Sequence, residues 1–172
     1  VTKLIGAALV LFACTLLGLF QSQQYARRPL QIRRLVLALQ RLETEIAYGF
    51  TPLPEALLSL AAMLPESLAA LFRRAAELLQ AGSSRSTAEL WRQAIGERWA
   101  HTSLKAGERE VIERLGATLG ATDRDDQIKH LRLAVQHLQA EELTAWDERK
   151  RYAGMWRNLG VLGGALLVLL MY

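Results

Sequence analysis

Two uncharged apolar runs bracket the chain and constrain its fold more than anything between them. "LIGAALVLFACTLLGLF", Leu4 to Phe20, and "LGVLGGALLVLLMY", Leu159 to Tyr172, contain no Asp, Glu, Lys or Arg. A helix needs about 20 apolar residues to cross a bilayer, with about 17 as the lower limit. The first run meets that length. The second is short, but Met155 and Trp156 extend it, because Trp suits the membrane interface and Arg157 can carry its guanidinium out to the headgroups. Two membrane-spanning helices are therefore expected, at 4–20 and 159–172.

Two other readings of the first run fit less well. A cleaved signal peptide needs a small-residue site after its apolar core, and "QSQQYARR" offers a poor one. Cys14 in "LFAC" resembles a lipoprotein acylation site, yet "TLLGLF" stays apolar beyond it. As the single cysteine, Cys14 cannot form an internal disulfide, and inside a span it serves as a small apolar filler.

The charges fix an orientation. Apart from Lys3, every Lys and Arg lies between the two runs. Arg27, Arg28, Arg33 and Arg34 follow the first, and Arg149, Lys150, Arg151 and Arg157 precede the second. The positive-inside rule then places residues 27–157 in the cytoplasm as one domain. Its basic balance is modest, the chain carrying 21 Lys plus Arg against 17 Asp plus Glu. No clustered basic face with a reading motif appears, so nucleic acid is not an expected partner. The basic flanks read as topology signals and contacts to anionic membrane lipids.

Between the runs there is almost no strand signal, and the fold class is all-α. Ile32, Leu35, Val36, Leu39, Leu42 and Ile46 recur at three and four, which predicts a helix over about 29–47, with Pro29 at its start or at a bend and Gly49 closing it. A second helix follows Thr51 as its cap, with Pro52 and Pro54 in the first turn and Pro65 as the stop. A third ends at Gly82, and "GSSR" is a loop. Ser86 with Glu89 is a capping box for a fourth helix carrying Leu90, Trp91, Ala94 and Ile95. A fifth runs from about Leu104 to Leu119 with Val111, Ile112 and Leu115 inward.

The densest polar stretch, "DRDDQIKH" from Asp123 to His130, opens the sixth helix. Gly120 ends the fifth, Thr122 with Asp125 reads as an N-terminal cap, and Asp123, Asp125 and Asp126 occupy a first turn where the helix dipole favours anions. Ile128, Leu131, Val135 and Leu138 then form a seam. With no breaker before Gly154, this helix would extend from Asp123 to Asn158, about 54 Å at 1.5 Å per residue. The expected architecture is a roughly six-helix domain whose first and last helices form a long antiparallel pair rising from the two spans, with four shorter helices at its outer part.

Catalytic signatures are missing. No Gly-rich phosphate loop, CxxC pair, HExxH or nucleophile elbow occurs, and no cofactor is implied. His130 and His137, with Asp126 and Glu141 at four-residue spacing, could ligate a metal, but such pairs on a charged helix are usually solvated. They leave one competing function class, a membrane-anchored adaptor or sensor taking a small ligand or metal through the helical domain. Gly160 and Gly164 form a weak small-residue pair in the last run, and the four tryptophans read as core or interface residues.

"KLIGAALVLFACTLLG", "LETEIAYGFTPLPEAL" (Leu42 to Leu57), "LGATLGATDRDDQIKHLRLA" (Leu115 to Ala134) and "MWRNLGVLGGALLVLL" together resemble the stage III sporulation protein AB family of endospore-forming bacteria. The resemblance covers the whole chain in order and is weakest over about Ser59 to Arg109. More distantly, the central helices are similar to the cytoplasmic domain of type II secretion and type IV pilus platform proteins. The resemblance implies a non-catalytic scaffold in the transenvelope channel between mother cell and forespore. It would be integral to the mother-cell membrane around the forespore, with its helical domain facing the mother-cell cytoplasm. The implied partners are other stage III sporulation proteins, including the AA ATPase, and a second copy of the chain is allowed. Helix-end turns present side chains and backbone groups that the helices do not satisfy. On that ground the turns 49–54, 82–86 and 116–124 are the expected docking surface, and Arg85, Arg124 and Asp125, in or beside them, are the candidate partner-contact residues.

Overall fold

The computed structural model describes residues 2–49, 51–82 and 84–155, together with 158, 159, 162, 163 and 166. Among the described residues there are six α-helices and no strand. They are α1 (Thr2–Tyr48), α2 (Leu53–Met63), α3 (Glu66–Gln80), α4 (Thr87–Arg98), α5 (Ala106–Gly116) and α6 (Arg124–Glu148). A 3-10 turn follows α4 at Trp99–His101, and a π-helical turn follows α6 at Arg149–Ala153. The chain divides into two compact units, one of Leu30–Glu142 and one of Val1–Pro29 with Leu143–Tyr172.

The larger unit is built on alternating large and small apolar residues. α3 buries Leu68, Ala69, Leu71, Phe72, Ala75 and Ala76, one stripe at helical spacing, and packs against α2 on one side and α4 on the other. α2 contributes Ala56, Leu57, Leu60 and Ala61, and α4 contributes Leu90, Trp91, Ala94 and Ile95. The small alanines let the helices approach while the leucines interdigitate. From α1 come Ile32, Leu35, Leu39 and Leu42, each at most 1% exposed. Burial of each such side chain stabilises by about 1.5–3 kcal/mol. Phe72 meets Trp91 edge to face at 5.8 Å, a geometry that sets positive ring edge against negative ring face.

One buried amide joins three segments of this unit. Gln31 Nε2 donates to Ser67 Oγ at 3.0 Å, and Gln31 Oε1 accepts the Ser103 N–H at 2.8 Å. Both ends of the side chain are thereby satisfied, as a buried amide requires. Arg132 of α6 pairs with Glu43 of α1 at 2.6 Å on the surface.

In the smaller unit Arg28 is 4% exposed, and its Nη1 lies 2.6 Å from Glu148 Oε2. Tyr25 meets Tyr152 at 5.7 Å between ring centroids, and the Arg149 guanidinium lies 5.0 Å over the Trp146 ring. Leu4–Phe20 lies within α1, while 159–172, with Gly160 and Gly164, falls mostly outside the described residues, as does Trp156. Among the described residues no helix is long and apolar enough to cross a membrane.

Several local expectations are corrected. Pro29 lies inside α1, which continues through it. Thr51 does not cap α2; the N-cap is Pro52, without a side-chain bond. Helix α5 starts at Ala106, its entry fixed by the Lys105 N–H donating to Glu108 Oε2 at 2.8 Å. This carboxylate is fully buried, and it sits at the third helical position where a side chain can reach back to the N-cap amide. Helix α6 is capped by Asp123, whose Oδ1 accepts the Asp126 N–H at 2.9 Å. The Thr122 hydroxyl instead donates to Thr118 O at 3.1 Å. α6 also gives way to the π turn at Arg149, short of the unbroken run expected to Asn158.

Candidate functional site

The larger unit gathers three of its helix-end turns at one place. Gly120 has φ +74°, a left-handed conformation that favours glycine, and a Cβ there would lie 3.3 Å from Leu53 at the start of α2 and 3.7 Å from Thr87 at the start of α4. Nearby, Arg124 Nη1 reaches the Ala47 carbonyl in the last turn of α1 at 3.4 Å. The turn between α5 and α6 therefore touches the end of α1 and the beginnings of α2 and α4. Its inner side is held by Leu119, fully buried, and by the Thr118 hydroxyl donating to Leu115 O at 2.8 Å.

A cleft of about 340 Å³ opens at this junction. Glu45, Ile46 and Gly49 line it from α1, Thr51, Leu53 and Ala56 from the entry to α2, and Gly120, Arg124 and Gln127 from the turn into α6. Gln127 is held there because its Nε2 donates to the Thr122 carbonyl at 2.7 Å. Gly49 closes α1 by donating its N–H to Glu45 O at 2.7 Å, and a Cβ on it would fall 2.5 Å from that oxygen. The Glu45 carboxylate is held on one side only: Oε1 accepts from Arg41 Nε at 3.2 Å. Glu45 Oε2 is buried, and among the described residues no donor reaches it.

Of the three residues expected to contact a partner, only Arg124 lines this cleft. Arg85 is exposed before α4, its Nη1 donating to Gln93 Oε1 at 2.6 Å and its Nε 3.7 Å from Glu89. Asp125 is exposed and lines a separate shallow surface with Lys129 and Arg132. Glu45 was missed by sequence reasoning, although a signal existed: it is an acid three residues after Leu42 on the stripe that α1 buries.

The histidines lie elsewhere. His130 and His137 border a groove of about 450 Å³ between α5 and α6, with Leu115 and Ala134 in its lining and Glu110, Arg114 and Glu141 among its polar groups. Among the described residues, no group of three or more His, Cys, Asp or Glu side chains converges as a metal site would require.

Both sequence blocks that meet at the cleft, "LETEIAYGFTPLPEAL" and "LGATLGATDRDDQIKH", belong to the resemblance drawn above, and comparison with known proteins decides its meaning. The family model described as stage III sporulation protein AB matches residues 3–172. The chain belongs to the stage III sporulation protein AB family. Stage III sporulation protein AB of Bacillus subtilis (strain 168) is 41% identical over 169 residues, covering 98% of each chain. A solved structure of stage III sporulation protein AB is 42% identical with a TM-score of 0.68, covering 73% of this chain and 98% of that one. Within this family framework the cleft is formed by helix ends and one half-satisfied carboxylate. The relatives are named as sporulation proteins, and neither name is that of an enzyme.

Proposed function

We propose that this family member is a non-catalytic membrane platform in the channel joining mother cell and forespore. It is anchored by apolar helices at 4–20 and 159–172, and its helical domain, 27–157, faces the mother-cell cytoplasm. There it docks the cytoplasmic ATPase, stage III sporulation protein AA, beside the other stage III sporulation proteins.

The observation that carries the membrane part is an exposed apolar face. Phe12, Leu16 and Phe20, spaced by four in α1, are 48–65% exposed, and Leu159, Leu162 and Leu166 are 56–70% exposed. Large apolar side chains left in contact with solvent at helical spacing are what a lipid-facing helix presents. The pairs Arg28–Glu148 and Tyr25–Tyr152 in one unit, and Glu43–Arg132 and Ala47–Arg124 in the other, support an antiparallel course for the first and last helices. The convergence of helix-end turns supports docking at that place, because turns carry the polar groups a partner can satisfy.

Orientation is tested by a cysteine at the exposed Ser84. Ser84→Cys in a Cys14→Ser background should resist an impermeant thiol reagent in intact cells and react after lysis. Labelling in intact cells overturns the cytoplasmic placement. Docking is tested by co-purification of the ATPase with the chain from membranes. Reversing Arg85, Arg124 and Asp125 together should reduce its recovery several-fold with helicity and insertion unchanged, and undiminished recovery moves the docking surface away from these turns.

A further inference from the structure

Between Leu30 and Tyr48, helix α1 has two apolar faces. One is the stripe of Ile32, Leu35, Val36, Leu39 and Leu42 that the larger unit buries. The large apolar side chains left outside it are Leu30, Leu37 and Tyr48, exposed by 49%, 50% and 86%. They are not scattered. At 3.6 residues per turn all three fall within about 20° of one direction, nearly opposite the buried stripe, over about five turns or 27 Å. Single exposed leucines are ordinary on a protein surface. An aligned row on the far side of an already buried helix is a second seam, the pattern of a helix that packs on both sides.

The charges beside the row say what covers it. Arg33 lies on one flank and Arg34 on the other, and both are exposed. α1 has no Asp or Glu before Glu43, and its two acids are already committed, Glu43 to Arg132 and Glu45 to Arg41. Arg33 and Arg34 make no ion pair among the described residues. Charges flanking a helical seam select a partner by complement, and a guanidinium takes a carboxylate in a two-point hydrogen-bonded pair. A lipid surface fits less well, because an inserting helix needs a broad unbroken apolar face, whereas Arg41 and Thr44 interrupt the row between Leu37 and Tyr48. The α1 of a second copy brings the same arginines and no uncommitted acid.

We infer that this outer face of α1 receives an acidic amphipathic helix of a protein partner. Leu30, Leu37 and Tyr48 form the apolar seam, and Arg33 and Arg34 pair with carboxylates on either side of it. The surface is the side of α1, and the inference does not depend on docking at the helix-end turns.

The test uses the full chain in an uncharged detergent and a fluorescent synthetic helix of about four heptads, with leucine at both seam positions and glutamate beside them. Repulsion among the glutamates keeps this probe from pairing with itself. Anisotropy should show saturable binding, and the same helix with lysine in place of glutamate should bind about tenfold more weakly or worse. Leu37→Ser should weaken the acidic helix by about tenfold. Arg33→Glu with Arg34→Glu should abolish its binding and admit the lysine helix instead. All three side chains are exposed, so these variants should keep wild-type helicity and melting. The inference is overturned by no saturable binding, by equal affinity for the two helices, or by unchanged binding in either variant. Two further measurements identify rival occupants. A dimer in sedimentation that Leu37→Ser dissociates assigns the face to a second copy. Leu37→Cys in a Cys14→Ser background should react with a maleimide equally fast in discs of phosphatidylcholine and of phosphatidylglycerol, and slower reaction in the anionic discs assigns the face to lipid. Either of those results overturns the acidic partner. Because the titration contains no ATPase, its outcome is independent of the co-purification result.

Discussion

The indole of Trp91 lies directly on Gly116, so closely that a methyl group at residue 116 would overlap the ring. The ring is pinned there because its Nε1–H donates to the Ile112 carbonyl at 2.8 Å, four residues earlier in α5. With the edge contact to Phe72, Trp91 links α3, α4 and α5 through one fully buried side chain.

Gly116→Ala should therefore act as an overpacking mutation. The indole must move, and the hydrogen bond to Ile112 stretches or breaks. Inserting volume into a packed core costs about 1–3 kcal/mol, and loss of the buried hydrogen bond adds to that. The check is urea unfolding of the detergent-purified chain followed by tryptophan fluorescence. A midpoint equal to wild type refutes the close packing of this pair.

The cap of α6 separates two adjacent residues that look equivalent in sequence. Asp123 accepts the Asp126 N–H, whereas the Thr122 hydroxyl is turned back to Thr118 O. Asp123→Ala should cost about 1 kcal/mol, and Thr122→Ala distinctly less. Thermal melts of the two variants decide it, and a larger loss for Thr122→Ala would reassign the cap.

That pair also marks how far the sequence could be read. The helical periods of α3 and α4, the stop at Pro65 and the N-cap at Ser86 were legible because each depends on residues close in sequence; Ser86 Oγ accepts the Glu89 N–H at 3.3 Å, the half of the expected capping box that the structure shows. The choice between Thr122 and Asp123 depends on where the preceding turn directs its hydroxyl, which the identities of the two residues do not encode. Lys105 is a poor capping type, so the entry to α5 was hidden, the signal being Glu108 at the third helical position. The π turn at Arg149–Ala153 was equally silent, since those residues suit an α-helix. Two of the resemblance blocks hold the turns that meet at the cleft, but Glu45 was not singled out, because its environment is made by residues 120–127.

Arg28 and Glu148 form a pair in which the arginine is 4% exposed and the glutamate 25%. Removing Glu148 takes this contact from a buried guanidinium; breaking a fully buried pair costs about 3–5 kcal/mol, which is an upper bound here because Glu148 is partly exposed. Glu148→Ala should lower stability measurably but by less than that, whereas the double change Arg28→Met with Glu148→Leu should recover most of it. A double variant no more stable than Glu148→Ala would show that the pair has a role beyond its charges.

The last prediction concerns acid. Arg74 bridges α3 to α4, its Nε 2.7 Å from Glu97 Oε2 and its Nη1 3.3 Å from Glu77. The hydrogen bond from Arg74, then that from Gln93, holds the Glu97 carboxyl below the ordinary value of 4.5. Because the folded-state value is depressed, the unfolded chain binds more protons as pH falls through this range. The contribution of Glu97 is fully present above about 4.5 and is lost as pH drops through the folded value. Both groups are solvent-accessible, so the effect is small and screened by salt. The melting-temperature difference between wild type and Arg74→Gln should be constant from neutral pH down to about 4.5, then shrink at lower pH. The Glu97 side-chain resonance should titrate at higher pH in Arg74→Gln than in wild type, and coincident titrations would show that the bridge is not formed in solution.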